Sequence, residues 1–246
     1  MGIAKSLVIV QWISLGLLVL GVLAQRTQML PFRVAFGSFA LALVVLSITA
    51  VVSLVVLGLS FGPVADAART PSLMAFVIGF IPLLLVISLV GSGFKVPSIH
   101  NIATDPSLEL QFQHAQTLRK PGENSIEPPS EKVVKLQQGF YKDLEPLHLN
   151  VSAARAFELS KTVVDQLGWE ITFSDEAKGH IEALERTALF GFVDDVLIKI
   201  SPEASNVDGG CVVNLRSVSR VGVSDLGANA KRIKKFQAAL QDASLK

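Results

Sequence analysis

Three runs near the start of the chain contain no Asp, Glu, Lys, Arg or His: residues 6–24 (SLVIVQWISLGLLVLGVLA), 34–59 (VAFGSFALALVVLSITAVVSLVVLGL) and 72–93 (SLMAFVIGFIPLLLVISLVGSG). A helix needs roughly 20 apolar residues to cross the ~30 Å hydrocarbon core of a bilayer, and each run reaches that length. Water is absent there, so a spanning segment must satisfy its backbone groups internally, as a helix. The pattern predicts a three-span, multi-pass membrane region over residues 1–93, with the lipid bilayer as a partner. The second run exceeds the minimum and is expected to tilt. Ionisable groups inside spans mark conduction paths, and these runs carry none, so a channel or pump is not expected. Gln11 is the most polar group within them and is expected to bond between helices. Ser38 and Ala42, four apart, allow close helix approach.

Charge divides the chain in the same place. Residues 1–93 hold Lys5, Arg26, Arg33, Arg69 and one acid, Asp66, out of 22 basic and 21 acidic residues in the whole chain. The remainder has ordinary globular composition, and a net charge of +1 lacks the basic excess of a nucleic-acid binder. Nucleic acid is therefore not expected as a partner. The single cysteine, Cys211, cannot form an internal disulfide or a multi-cysteine metal site. Lys5 precedes the first run, and two further runs follow in place of a cleavage site and soluble domain. An uncleaved anchor is expected. Flanking charges nearly balance: Lys5 and Arg69 on one side, Arg26, Arg33 and Lys95 on the other. Lys5 favours a cytoplasmic N-terminus, which after three spans puts the C-terminal domain outside the cytoplasm.

Residues 94–145 carry Pro97, Pro106 and the Pro/Gly-rich RKPGENSIEPPSEK, and are expected as an extended linker. A short helix in EKVVKLQQGFYKD is expected to present Val133, Leu136, Phe140 and Tyr141. Residues 146–246 read as a soluble α+β domain. PLHLNV is a strand. Ser152 caps a helix that ends at Gly168. WEITFS alternates, with Trp169, Ile171 and Phe173 on one face. Further strands follow around residues 180–189, 193–201 and 211–221, then a helix starting near Ser224 or Asp225 that buries Leu226, Ala230, Ile233, Phe236 and Leu240. The fold class is thus a membrane α-helical region plus an α+β domain of order strand, helix, four antiparallel strands, helix. Antiparallel sheets commonly cover one face, so both helices are expected on one face of a curved sheet. TATA-box-binding and helix-grip folds offer an architectural analogy that implies no function.

On that scaffold RSVSRVGVSDLGANAKRI (residues 216–233) straddles the last strand and helix. Ser217 and Ser219 face the helices. Arg216, Arg220 and Asn214 face the open side, shared with Glu170, Glu182, Arg186, Asp195 and Lys199. Three readings of this face stand. It is a solvated ladder of cross-strand ion pairs. Or it is a polar ligand site of Arg216, Arg220, Asp195, Glu182 and Asn214, whose arginines grip an anionic small molecule or lipid headgroup. Or it docks a partner or the chain's own linker. Asp194 and Asp195 are adjacent in a strand, so their carboxylates point to opposite faces.

GHIEALERTALFGFVDDVLIKI and LRSVSRVGVSDLGANAKRIKKF, with IHNIATDP and LQQGFYKDLEPLHL upstream, resemble the domain of unknown function 1499 family over about residues 97–241. The resemblance implies an envelope or plastid setting and supplies no established activity. It marks Asp194, Asp195, Arg216, Ser217, Ser219, Arg220, Ser224, Asp225, Asn229 and Arg232 as positions where a shared role would lie.

Other chemistry is sparse. His100, His114, His148 and His180 show no metal spacing. Ser219 and Ser224 lack the Gly-x-Ser-x-Gly elbow, and no phosphate-loop glycine pattern occurs. No catalytic residue, metal or cofactor is expected. The expected function is a membrane-anchored, non-catalytic accessory or binding module. The alternatives are a subunit of a larger membrane protein complex, or an enzyme acting on an envelope or lipid-linked anion.

Overall fold

A computed structural model describes residues 2–61, 66–108, 110–203 and 209–245. It divides into two compact units: residues 1–92 with Ala188–Gly191, and Gly93–Thr187 with Phe192–Lys246.

The first unit is built on three helices, α1 (Ile3–Arg26), α2 (Phe32–Leu59) and α3 (Asp66–Val90). All three are long and apolar enough to cross a membrane. Their outward surfaces are as apolar as their contacts, with Leu20, Leu41 and Leu85 at least 57% exposed, the pattern of helices solvated by lipid. Small residues set the spacing. A side chain at Gly79 would lie 2.6 Å from the Leu46 carbonyl, and one at Gly21 would lie 3.0 Å from that of Ala35. The Gln11 side chain, fully buried, donates to the Leu46 carbonyl at 3.2 Å. This is the expected interhelical bond.

The second unit is an antiparallel sheet backed by two helices. Its strands are β1 (Asn101–Ala103), β2 (Leu147–Leu149), β3 (Glu170–Asp175), β4 (His180–Arg186), β5 (Val193–Pro202) and β6 (Cys211–Ser219). The order is β1-β6-β5-β4-β3, with β2 also on β6, and the sheet is open. β1 takes the end of β6 at residues 216–218 and β2 takes its start at 211–213. Helices α6 (Ala153–Gln166) and α7 (Ala228–Ser244) cover one face. Between lie the inward residues of β4, β5 and β6, with Val163, Ile233, Phe236 and Leu240 from the helices. Trp169 stacks on Phe236 at 5.6 Å. The expected order of strand, helix, four antiparallel strands and helix is therefore present, with both helices on one face.

Four local features differ from expectation. Residues 94–145 are not a free linker. They contribute β1, the short helix α4 (Ala115–Leu118) and helix α5 (Glu131–Phe140). Three residues of strand are too few to show an alternation, which is why β1 read as coil. On α5 the Gln137 side chain is buried, while Leu136 and Phe140 are nearly half exposed. Gln137 extends the ladder as a backbone would: its oxygen accepts from Ala103 N at 3.1 Å and its nitrogen donates to Ala103 O at 2.6 Å. In β3 the register slips between Ile171 and Phe173. A bulge of this kind reverses side-chain parity, so Phe173 leaves the Trp169 face and packs on His180, ring centroids 5.7 Å apart. Finally, α7 begins at Ala228 and Leu226 is 38% exposed. Leu226 and Gly227 have φ of 52° and 84°, which delays the helix. Asp225 still caps it, accepting from Gly227 N at 2.8 Å and Asn229 N at 3.1 Å.

Gly179 closes the β3–β4 turn at φ 58°, and a Cβ there would lie 2.1 Å from the Ile200 carbonyl. Gly179→Ala is expected to destabilise the second unit by about 2 kcal/mol or more, combining left-handed strain with the clash. The shift in melting temperature of the purified chain measures it.

Candidate functional site

Parity along β6 fixes the site. Cys211, Val213 and Leu215 join the helix-side core, and Ser217 meets Asn229 of α7. The even residues Asn214, Arg216, Val218 and, just past the strand, Arg220 point the other way. Register places Leu197 opposite Arg216 and Asp195 opposite Val218, and Glu182 opposite Leu197. The sequence expected these polar residues on one face, and they share it. A solvated ladder is not what they form. Glu182 and Asp195 are fully buried, and Arg216 and Arg220 are 3% and 7% exposed. Residues 104–108 and 110–128, a strap from the supposed linker, cover the face.

The candidate residues grip the strap at separate stations, with Asp195 and Arg220 sharing one. Asp195 sits between two guanidinium groups. Arg220 binds it through both oxygens, at 3.0 and 2.8 Å. Arg119 of the strap binds one oxygen through Nε and Nη2 at 2.9 and 2.6 Å. Arg220 also donates to the Leu118 carbonyl at 3.1 Å. Asn124 locks the next turn, donating to the Ser219 and Gly222 carbonyls at 3.1 and 2.7 Å.

Arg216 has only uncharged acceptors among the described residues. Nε donates to Asn101 Oδ1 at 3.0 Å, Nη1 to Leu110 O at 2.7 Å, and Nη2 to Ile126 O and Glu127 O, each at 2.6 Å. The Phe112 ring lies 5.3 Å from its guanidinium carbon. Burial lowers its pKa to about 10, aided by the charge on Arg119. Asn214 accepts from the Thr104 hydroxyl at 3.0 Å.

Glu182 accepts from the N–H groups of Gln113, His114 and Ala115 and pairs with His180 Nε2 at 2.8 Å. It serves as a cap for α4 supplied from a strand about 70 residues on. Burial pushes the carboxyl up, but His180 and the three amides outweigh it and hold it below the usual range. The five candidate residues thus do not converge on one point. Among the described residues no group of three or more His, Cys, Asp or Glu is placed to hold a metal.

The helix side carries a second buried network. Asp194 pairs with Arg232 of α7, which also binds Glu185 and the Ser217 hydroxyl, the last at 2.9 Å. Asn229 donates to Ser219 Oγ at 3.0 Å and to the His100 carbonyl at 3.1 Å. Burial raises Asp194 to about 7 and lowers Arg232 to about 10, so each partner bears a desolvation cost within this buried pair. The Tyr141 hydroxyl is buried, with no hydrogen-bond partner among the described residues. Burial, then the nearby Asp225, push it up to about 12. Of the positions marked by resemblance, Asp195, Arg216 and Arg220 lie under the strap. Asp194, Ser217, Ser219, Asp225, Asn229 and Arg232 fasten α7.

Sequence reasoning missed Arg119, Asn124, Asn101, Thr104 and His180. Arg119 and Asn124 sit in a polar Pro/Gly-rich stretch that reads as solvated loop. Asn101, Thr104 and Gln137 lie in the upstream segments IHNIATDP and LQQGFYKDLEPLHL, which was the available signal.

The class is therefore a chain with three candidate membrane spans and a strapped α+β domain. The protein of unknown function family DUF1499 matches residues 101–240, more than half of the chain. The chain belongs to this family, and the match begins at β1 and covers the strap, the sheet and most of α7. No curated protein matches it.

Removing one partner of a buried ion pair strands the other, at about 3–5 kcal/mol. Arg220→Ala is expected to fall in that range. Arg186→Ala, whose 4.0 Å pair with Glu170 is exposed, should cost under about 1 kcal/mol. Melting temperatures of the two variants test the contrast.

Because Glu182 titrates lower when folded than when unfolded, its contribution is full above the unfolded value of about 4.3 and is lost as pH falls through the folded one. Amides of residues 113–115 should lose protection as pH falls below the ordinary carboxylate range and through the lowered folded value, measured by hydrogen exchange corrected for intrinsic rates. Glu182→Gln should show weak protection at every pH.

Proposed function

We propose that the chain is a membrane-anchored accessory module without catalysis of its own, whose α+β domain presents a surface shaped by the strap. One observation carries this reading. Asp195, Glu182, Arg216 and Arg220 are all engaged by residues 101–127 of the same chain, so the polar groups that could do chemistry serve instead to hold the strap. An anionic ligand at Arg216 or Arg220 would first have to displace it. The enzyme reading needs that displacement and is therefore ranked lower.

The second reading is a subunit of a larger membrane complex. A shallow apolar groove between α1 and α2, lined by Ile13, Ser14, Leu17, Ser38, Leu41 and Ala42, favours it. Small residues admit close packing of a further helix.

Exchanging residues 1–92 for an unrelated three-span region, in the full chain, separates the two. Restored growth or envelope phenotype in a deletion strain is expected if the helices only anchor. Failure of a stably expressed exchange would favour the complex. Domain function with no anchor at all would overturn the module reading.

We further propose the inner membrane with the domain in the periplasm, supported by Lys5 ahead of α1 and by three crossings. Native Cys211 is fully buried and should be silent to maleimide. A cysteine at exposed Glu176 should label from outside intact spheroplasts. Labelling only in inverted vesicles would reverse the topology.

A further inference from the structure

The rim of the second unit nearest its point of departure from α3 is apolar and basic. Phe94 and Val223 are 75% and 80% exposed, and Leu226 is 38% exposed. These side chains belong to one surface. The Gly93 backbone abuts Leu226, since a Cβ on it would lie 2.5 Å from the Leu226 Cβ. The Asp225 N–H donates to the Ile99 carbonyl at 3.0 Å, and His100 Nδ1 is 3.5 Å from the Val223 carbonyl. Val96 methyl groups line the Gly227 turn at 3.6 and 3.8 Å from where a Cβ would sit.

Leu226 is held at φ 52°. A branched side chain is strained there, and strain of this kind collects at functional surfaces. Among the described residues, Lys95 directly follows Phe94 and Lys231 lies in the first turn of α7, and both are exposed. Asp225 is turned inward to cap α7.

Covalent reach selects the occupant. Phe94 is four residues beyond Val90, the end of α3, and an extended chain spans at most about 14 Å in that distance. With α3 across the bilayer, the rim therefore lies within or beside the headgroup layer. Aromatic and branched apolar residues flanked by lysines suit that layer, gaining apolar burial and attraction to anionic lipid.

We propose that this rim is a membrane-docking edge: Phe94, Val223 and Leu226 enter the bilayer interface, and Lys95 and Lys231 meet anionic headgroups. The proposal rests on α3 spanning the bilayer, and flotation of the full chain with liposomes checks that premise separately.

The test uses the full chain in liposomes, with an environment-sensitive fluorophore on Val223→Cys or, as control, Lys178→Cys. Lys178 lies in the β3–β4 turn, at the other end of β4 from the residues paired near Ser219, roughly 20 Å away along the strand. The Val223 probe is expected to emit at shorter wavelength and to be quenched several-fold more by lipid-borne nitroxide than the Lys178 probe. Anionic lipid should strengthen the difference, and Lys95→Glu with Lys231→Glu should remove that increment. Equal quenching at both sites overturns the proposal. So does a Val223 probe shielded from iodide but untouched by lipid nitroxide, since the rim is then covered by protein, such as a second copy. A chain that fails to float removes the premise, and the proposal with it.

Discussion

The buried carboxylate of Asp195 holds the strapped face together. It is fully inaccessible, and an isolated charge in such a place would be strongly unfavourable. Two guanidinium groups, from Arg220 beside the sheet and Arg119 on the strap, make it tolerable. The dependence is mutual. Without the strap Asp195 loses one cation and gains water, and without Asp195 the two arginines repel each other beneath a layer of backbone carbonyls. The strap is thus bound by charge and hydrogen bonds more than by apolar area. The apolar cluster on this face is small, centred on Ala103, Leu110 and Leu197 with Phe112.

Asp194 extends this logic through the sheet. Neighbouring residues in a strand point to opposite faces, so two consecutive aspartates deliver one carboxylate to each side. Asp194 meets Arg232 of α7 and Asp195 meets Arg119 and Arg220. A single step in the sequence fastens both layers to β5. Shifting that strand by one residue would put each carboxylate on the wrong side, so the pair also specifies register.

Much of this was legible in the chain. Uncharged runs announced the helical unit because bilayer thickness leaves little choice of length. Alternation in β4 to β6 sorted Glu182, Asp195, Arg216 and Arg220 onto one face, because strand period is fixed by covalent geometry. That the chain's own linker could cover the face was one of the three readings, but which of its residues do so was not legible. Arg119 and Asn124 act through contacts about 75 to 100 residues away in sequence, and no local period records such pairing. Glu182 looked like half of a surface ion pair, yet besides His180 its partners are three backbone amides, which carry no sequence signature. The bulge in β3 and the late start of α7 escaped for a related reason. Each turns on one or two residues, Thr172 at the register slip in the first case and Leu226 with Gly227 in the second.

Gln137 matters beyond the bond it makes. The far side of β6 is finished by two three-residue strands, and Gln137 pairs with Ala103 at the outer edge of β1. At the opposite edge the bulge interrupts β3. Exposed sheet edges recruit strands from neighbouring molecules. In a chain with three helices long and apolar enough to cross a membrane, a side-chain amide standing in for a missing strand leaves less of the β1 edge open to such pairing.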